Sequence, residues 1–234
     1  MKGYIGQVIY NGPSLLDGAP IVAIANKFDS DSKNVKTGGM VQTWIIRSDV
    51  PPHHAVKSGE DASVCGGCIH RKGSCYVPTW QAPLSVYNAF HNGRYMPSFD
   101  VSWFAGKHVR IGSYGDPAAV PLGRWLRIKT VATATTGYTH QWARFPEFAM
   151  VAMASVDSLQ ERMQAKTIGF RTFRVRTATE TQPGEVTCPA SKEAGHKLTC
   201  EQCKACGGVD GRRADIVIRA HSPQGKHFKE VFKA

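Results

Sequence analysis

Residues 108–117, His108-Val109-Arg110-Ile111-Gly112-Ser113-Tyr114-Gly115-Asp116-Pro117, decide the fold. His108 to Tyr114 predicts a strand, and Gly115-Asp116-Pro117 closes it with turn residues. Residues 118–130 then predict a helix with Pro121 in its first turn, where the missing N–H is tolerated. Working outward toward the C-terminus, Thr133–His140 reads as a Thr-rich strand and Phe148–Ala154 as a buried apolar strand. Ser155–Lys166 reads as a helix, capped by Ser155 or by a Ser158/Glu161 capping box and ended by Gly169. Phe170–Arg176 is a further strand, Val186-Thr187 leads into Cys188, and Ile216–Arg219 is a last strand. Toward the N-terminus, Pro20–Ala25 and the β-branched, aromatic Val41–Arg47 are strands around a polar loop at 26–40. Pro51 and Pro52 end the second of these, and residues 82–92 predict a helix with Gly93 as its cap.

Strand–helix–strand alternation with apolar strands predicts an α/β fold with a parallel sheet flanked by helices. An incomplete parallel β/α barrel is the first expectation and an open doubly wound sheet the alternative. The chain is read as one domain, 1–234, with cysteine-rich segments at 58–80 and 186–212. In either architecture ligands sit at the carboxyl ends of the strands. Those ends carry Ser113, Tyr114 and Asp116; Tyr138, Thr139 and His140; Ser155 and Asp157; Arg174 and Arg176; and Cys188.

The seven cysteines fall into two groups. Cys65, Cys68 and Cys75 form C-x2-C-x6-C in a Gly-rich loop. Cys188, followed by Pro189, joins Cys200, Cys203 and Cys206 in C-P-x10-C-x2-C-x2-C. Close thiol spacing of this kind points to metal. A tight triplet completed by a remote Cys-Pro matches the ligand set of a ferredoxin-type four-iron cluster. Zinc, which usually takes cysteines in separated pairs, is the alternative at both groups, with His70, His53 or His54 completing the first. Three thiolates on a four-iron cluster leave one iron open, and an open iron can bind a substrate or S-adenosylmethionine.

The formal charge of +11 favours a polyanionic partner such as DNA or a nucleotide. Two four-iron clusters on seven thiolates would remove roughly three units and leave the chain basic. Short basic clusters occur at Arg171, Arg174 and Arg176, at Arg212 and Arg213, and at Lys226, Lys229 and Lys233. No apolar run approaches a membrane span, the start MKGYIGQVIY does not read as a signal peptide, and an odd cysteine count argues against a disulfide framework. A reducing cytoplasm is therefore expected. No Walker A loop, Rossmann fingerprint, nucleophile elbow or HExxH motif occurs.

Within the 112–117 turn, Ser113, Gly115 and Asp116 are candidates to hold the amino or ribose end of a nucleoside-type cofactor, against an ordinary strand-to-helix turn. His140, at a predicted strand end beside Tyr138, is a candidate acid/base group or cluster-proximal ligand, and Asp116 is a second catalytic candidate. Asp157 and Glu161, four apart, suit either acid/base pairing or dipole compensation at a helix start.

Three segments resemble an uncharacterised family of bacteriophage proteins: Gly12-Pro13-Ser14-Leu15-Leu16-Asp17-Gly18, residues 36–44 (KTGGMVQTW), and Cys65-Gly66-Gly67-Cys68-Ile69-His70-Arg71 with Ser74-Cys75-Tyr76. The C-terminal cysteine group is similar to that of the phage gene-product-88-like proteins. These resemblances imply a phage or prophage origin, and hence an infected host cell. The order of a three-cysteine group, a β/α core and a terminal cysteine group also resembles radical S-adenosylmethionine enzymes, although their C-x3-C-x2-C spacing differs from the spacing here. Together these readings lead to the expectation of an iron–sulfur enzyme acting on nucleic acid or nucleotide, such as a DNA base-modifying activity. The alternative is a non-catalytic nucleic-acid-binding module with two structural zinc sites.

Overall fold

The computed structural model describes residues 3–30, 35–209 and 214–220. Among them run nine strands: β1 (Gly6–Pro13), β2 (Pro20–Asn26), β3 (Val41–Arg47), β4 (His108–Tyr114), β5 (Ala134–Thr139), β6 (Met153–Val156), β7 (Thr172–Arg176), β8 (Glu185–Thr187) and β9 (Asp215–Arg219). They form one sheet in the order β1-β2-β3-β4-β5-β6-β7-β9-β8. The class is α/β and the sheet is mostly parallel, but it is not closed into a barrel. The first two pairings are antiparallel, which corrects the expectation of a parallel sheet throughout. Only residues 14–19 join β1 to β2, too few for the dozen or so that a parallel crossover needs.

The helices are α1 (Pro52–Ser58), α2 (Ala62–Cys65), α3 (Ala82–His91), α4 (Leu122–Val131), α5 (Leu159–Thr167) and α6 (Cys200–Cys203). None of them is long and apolar enough to cross a membrane. Ile21 to Ala25 of β2 are fully buried, which explains the unbroken apolar run. β1 escapes sequence reading because its buried half contains Gln7. That amide donates to the Asp100 carbonyl at 2.9 Å and accepts from the Asp100 N–H at 2.7 Å, so a polar residue is satisfied inside.

Several expected boundaries shift. β3 ends at Arg47, ahead of the two prolines, and Pro52 opens α1, since proline suits a first helical position. The expected helix at 118–130 begins at Leu122, after a separate 3-10 turn at Pro117–Ala119 capped by Asp116. Phe148–Ala154 is not one strand. Its first half belongs to a 3-10 turn, Pro146–Met150, buried through Phe148, and β6 starts only at Met153. Ser155 lies in β6 and is not a cap. Ser158 caps α5 by accepting from Glu161 N–H at 3.1 Å, and the Glu161 carboxylate accepts from Asp157 N–H at 2.7 Å. Glu161 is thereby occupied in a capping arrangement.

Two local devices set the strand ends that face the site. A bulge in β4 shifts its register against β3 between Gln42 and Trp44. Thr43 stitches the gap, donating to the Arg110 carbonyl at 3.0 Å and accepting from Gly112 N–H at 2.8 Å. In the turn that follows, Gly115 has φ of +82°, and a Cβ there would meet Ile45 atoms at 2.6 Å. Only glycine lets the turn lie this close to β3.

Candidate functional site: a cleft between two cysteine groups

A cleft of about 560 Å³ lies over the sheet. It is lined by Ser113, Tyr114, Gly115 and Asp116 after β4, by Tyr138 and His140 of β5 and its end, and by Ser155 of β6. Its other walls include Cys65, Cys68 and Cys75 of the first cysteine group. The sequence-selected residues of the first group, the 112–117 turn and His140 are therefore brought together. Arg174 and Arg176 are not. They are buried and committed to ion pairs, Arg174 with Glu185 at 2.6 Å and Arg176 with Glu193 at 2.6 Å. Arg171 is buried as well, donating to the carbonyls of Ala205 and Gly208 at 2.8 and 3.0 Å. This corrects their reading as a basic surface cluster. Arg212, Arg213 and the tail lysines lie outside the described residues.

The first cysteine loop is held onto the strand ends by Arg71. Its guanidinium grips buried Asp61 through two bonds of 2.9 and 2.7 Å and donates to the carbonyls of Gly66 and Gly59 at 2.8 and 2.9 Å. Asp116 N–H reaches the Val64 carbonyl at 2.6 Å, and Gln141 donates to the Cys65 carbonyl at 3.3 Å. His53 and His54, the proposed zinc partners from α1, stack on one another at 4.2 Å and do not line the cleft.

The second group closes a separate void of about 10 Å³, lined by all of Cys188, Cys200, Cys203 and Cys206. The sheet makes room for it. β5 pairs with β4 over Ala134–Gly137 but with β6 only from Tyr138 onward. Into the uncovered edge comes the 205–209 loop, where Gly137 N–H donates to the Cys206 carbonyl at 3.0 Å and Val209 N–H to the Ala149 carbonyl at 2.8 Å. α6 opens with a capping box, Thr199 with Gln202, and buries Cys200 while Cys203 is half-buried. Tyr138 lines both the cleft and the void and so separates the two groups.

All seven cysteines are free thiols. Burial pushes Cys65, Cys75 and Cys188 up, and nearby thiols push in the same direction. Burial takes Cys206 up to about 12 despite a hydrogen bond from the Tyr138 hydroxyl. Thiols in such crowds ionise readily only beside a cation. The surroundings fit that use. The backbone N–H groups of Val77 and Ala190 favour the Cys75 and Cys188 thiolates against that burial, which suits metal-bound sulfur. Each group also has an orphaned buried hydroxyl near it: Tyr114 beside the first and Thr136 in the lining of the second. A metal-bound sulfur offers each an acceptor.

Sulfur spacing bears on which metal. Around zinc, with Zn–S of about 2.3 Å, tetrahedral sulfurs stand about 3.8 Å apart. Among the described residues, which include every cysteine, no three sulfurs lie within 4.8 Å of one another. The void at the second group is about 10 Å³, about the room of one water-sized sphere.

Asp116 is less available than its position suggests. One oxygen accepts from Ala118 N–H at 3.0 Å and Thr139 Oγ at 2.7 Å, the other from His140 N–H at 2.8 Å. About one lone-pair site remains for a ligand. Its main effect is to position His140. Burial works against a charged His140, but Cys68, 3.8 Å from its Nε2, and Asp157, 3.4 Å away, overcome this and hold its pKa well above the usual range. Ser113 donates to Gln42 at 2.8 Å.

Sequence reading missed Arg110. Its side chain projects from β4 into the cleft, is 7% exposed, donates to the Tyr76 hydroxyl, and has no carboxylate partner among the described residues. Arginine within an otherwise apolar strand was the available signal. Comparisons with protein-family models, with curated proteins and with solved structures found no match for this chain.

Proposed function

We propose that this protein is an iron–sulfur enzyme whose chemistry takes place in the cleft. The observation that carries the reading is the asymmetry of the two cysteine groups. Three cysteines open onto a ligand-sized cleft at the carboxyl ends of parallel strands, whereas four close around their own small void. Cys65, Cys68 and Cys75 would hold a four-iron cluster with one iron free of protein ligands. Cys188, Cys200, Cys203 and Cys206 would hold a second, fully ligated cluster for structure or electron delivery. When bound, the first cluster supplies electrons and an open iron at which S-adenosylmethionine or a substrate binds.

The chain's own residues then have separable tasks. Ser113, Gly115 and the remaining acceptor site of Asp116 face the place a nucleoside-type cofactor would take. His140, held by Asp116 and charged beside Cys68, can donate a proton into the cleft. Buried Arg110 offers positive charge to an anionic substrate, which suits a nucleotide or an extruded base of DNA. Strand order β3 to β7 follows the sequence, as expected for an incomplete β/α barrel. Free thiols and the phage resemblance favour the cytoplasm of an infected host.

The test is electron paramagnetic resonance of the reduced, anaerobic protein with and without S-adenosylmethionine. The cofactor should shift the signal of one cluster, and Cys68→Ala should abolish that shift and the activity while the second cluster stays bound. An unchanged spectrum, or full activity in Cys68→Ala, removes the catalytic role of the first group. One observation favours a second reading, a nucleic-acid-binding module with structural zinc: the void at the second group is ion-sized. It predicts zinc without sulfide and salt-sensitive nucleic-acid binding.

A further inference from the structure

Three side chains from three parts of the chain converge beside the first cysteine group. His70 comes from the cysteine loop, His140 from the end of β5 and Asp157 from the end of β6. His70 Nε2 lies 2.9 Å from one oxygen of Asp157, and His140 Nε2 lies 3.4 Å from the other. The three ligand atoms all fall within 4.8 Å of one another, and among the described residues no other set of three or more His, Cys, Asp or Glu side chains does so.

We propose that His70, His140 and Asp157 form a third metal site, for a borderline divalent transition ion such as zinc or ferrous iron. Two imidazoles and one carboxylate select such ions over magnesium or calcium, which prefer oxygen. With metal–ligand bonds of about 2.0–2.1 Å, donor atoms around one ion stand about 2.9–3.4 Å apart for octahedral or tetrahedral geometry. Both nitrogen–oxygen separations fall in this range, each to a different oxygen, as a carboxylate bridging toward the ion with both oxygens would place them. The support behind the ligands is also in place. Ser74 Oγ bonds His70 Nδ1 at 2.7 Å, which fixes the ring with Nε2 toward Asp157. Asp116 fixes the backbone of His140 at 2.8 Å. The Asp157 carboxylate is 3% exposed and faces both imidazoles, so a metal ion among the three would take over the charge balance that an imidazole proton otherwise supplies. Both histidines line the cleft, which leaves the remaining coordination positions facing a substrate. The ion would act there as a Lewis acid beside the first cysteine group, and its binding would displace the Nε2 proton of His140, which is then a ligand in place of a proton donor. This site shares no ligand with the cysteine groups, although Cys68 Sγ lies 3.8 Å from His140 Nε2, and its three ligands are in place whichever metal those groups hold.

The test uses the full chain, purified anaerobically with its cysteine-bound metal in place. Zinc is added by equilibrium dialysis and zinc, iron and sulfide are counted, with zinc-edge X-ray absorption on the same samples. One further zinc per chain should bind through nitrogen and oxygen at about 2.0–2.1 Å, with no sulfur shell near about 2.3 Å. Asp157→Asn, which keeps size and shape, should weaken this binding at least about 100-fold, and Ser74→Ala, which removes no ligand, about 10-fold. Iron and sulfide should be unchanged in both variants. No nitrogen/oxygen-bound zinc in the native chain, or equal uptake by Asp157→Asn, overturns the site and identifies the trio as a hydrogen-bonded imidazole–carboxylate group. Absence of iron and sulfide from the native chain would instead count against the iron–sulfur reading while leaving this site standing.

Discussion

Arg71 shows how one side chain can hold a cysteine-bearing loop. It joins Asp61, which is almost wholly buried, to two backbone carbonyls on either side of Cys65. Removing it leaves a buried carboxylate without its cation, a loss of about 3–5 kcal/mol for a buried pair. Arg71→Ala should therefore lower stability by about that amount in urea titration. It should also lose metal from Cys65, Cys68 and Cys75 while the second group keeps its own. At this scale the cysteines were legible, because thiol spacing is a local property of the chain. Asp61 and Arg110 were not. Their meaning depends on burial, and burial depends on contacts far away in sequence.

At the scale of elements, strands were legible where apolar or β-branched residues ran unbroken, as in β2 and β3. They were misread where an apolar run served two purposes. In 148–154 the side chain of Phe148 packs below a 3-10 turn, and the same run goes on to supply β6, so hydrophobicity alone could not mark the boundary. The capping signal Ser158 with Glu161 was the better guide, since its hydrogen bonds are local. The bulge in β4 was invisible because it rests on Thr43, a residue 67 positions from the Arg110 carbonyl it bonds. Thr43→Val keeps the shape and removes both bonds, leaving Gly112 N–H and the Arg110 carbonyl short of a partner. A loss of about 1–3 kcal/mol is expected in denaturant titration. The strand end bearing Ser113 and Tyr114 should also loosen, seen as faster amide exchange at residues 111–114. Unchanged stability would show that water or a shifted register replaces the stitch.

For the whole molecule, the C-terminal edge of the sheet depends on buried charge. Burial opposes ionisation of Glu185, but Arg174 and the Gln182 N–H overcome this and hold its carboxyl below the ordinary range. Burial opposes ionisation of Asp215 as well, and Thr172 N–H and Lys166 likewise hold it low. Both carboxyls have lower pKa values in the folded chain than in the unfolded one. Their stabilisation is complete above about pH 4.5 and is lost as pH falls through the lowered folded values. The melting temperature should fall below that pH. Glu185→Gln should melt lower at pH 7 and show a shallower fall with acid. Equal slopes would mean that this edge does not govern acid stability.

The α/β class followed from alternation over 108–176, and the strand-end rule pointed to the residues that line the cleft. The antiparallel start and the opening between β5 and β6 were not legible, because they arise from connection length and from a loop 70 residues downstream. The central claim is that two cysteine groups of different openness hold iron–sulfur clusters. The most direct test is the iron, acid-labile sulfide and zinc content per chain of anaerobically purified protein. Iron and sulfide near seven or eight each are predicted, with four-iron chemistry at both groups. One or two zinc ions bound through cysteine sulfur, with no sulfide, would contradict it.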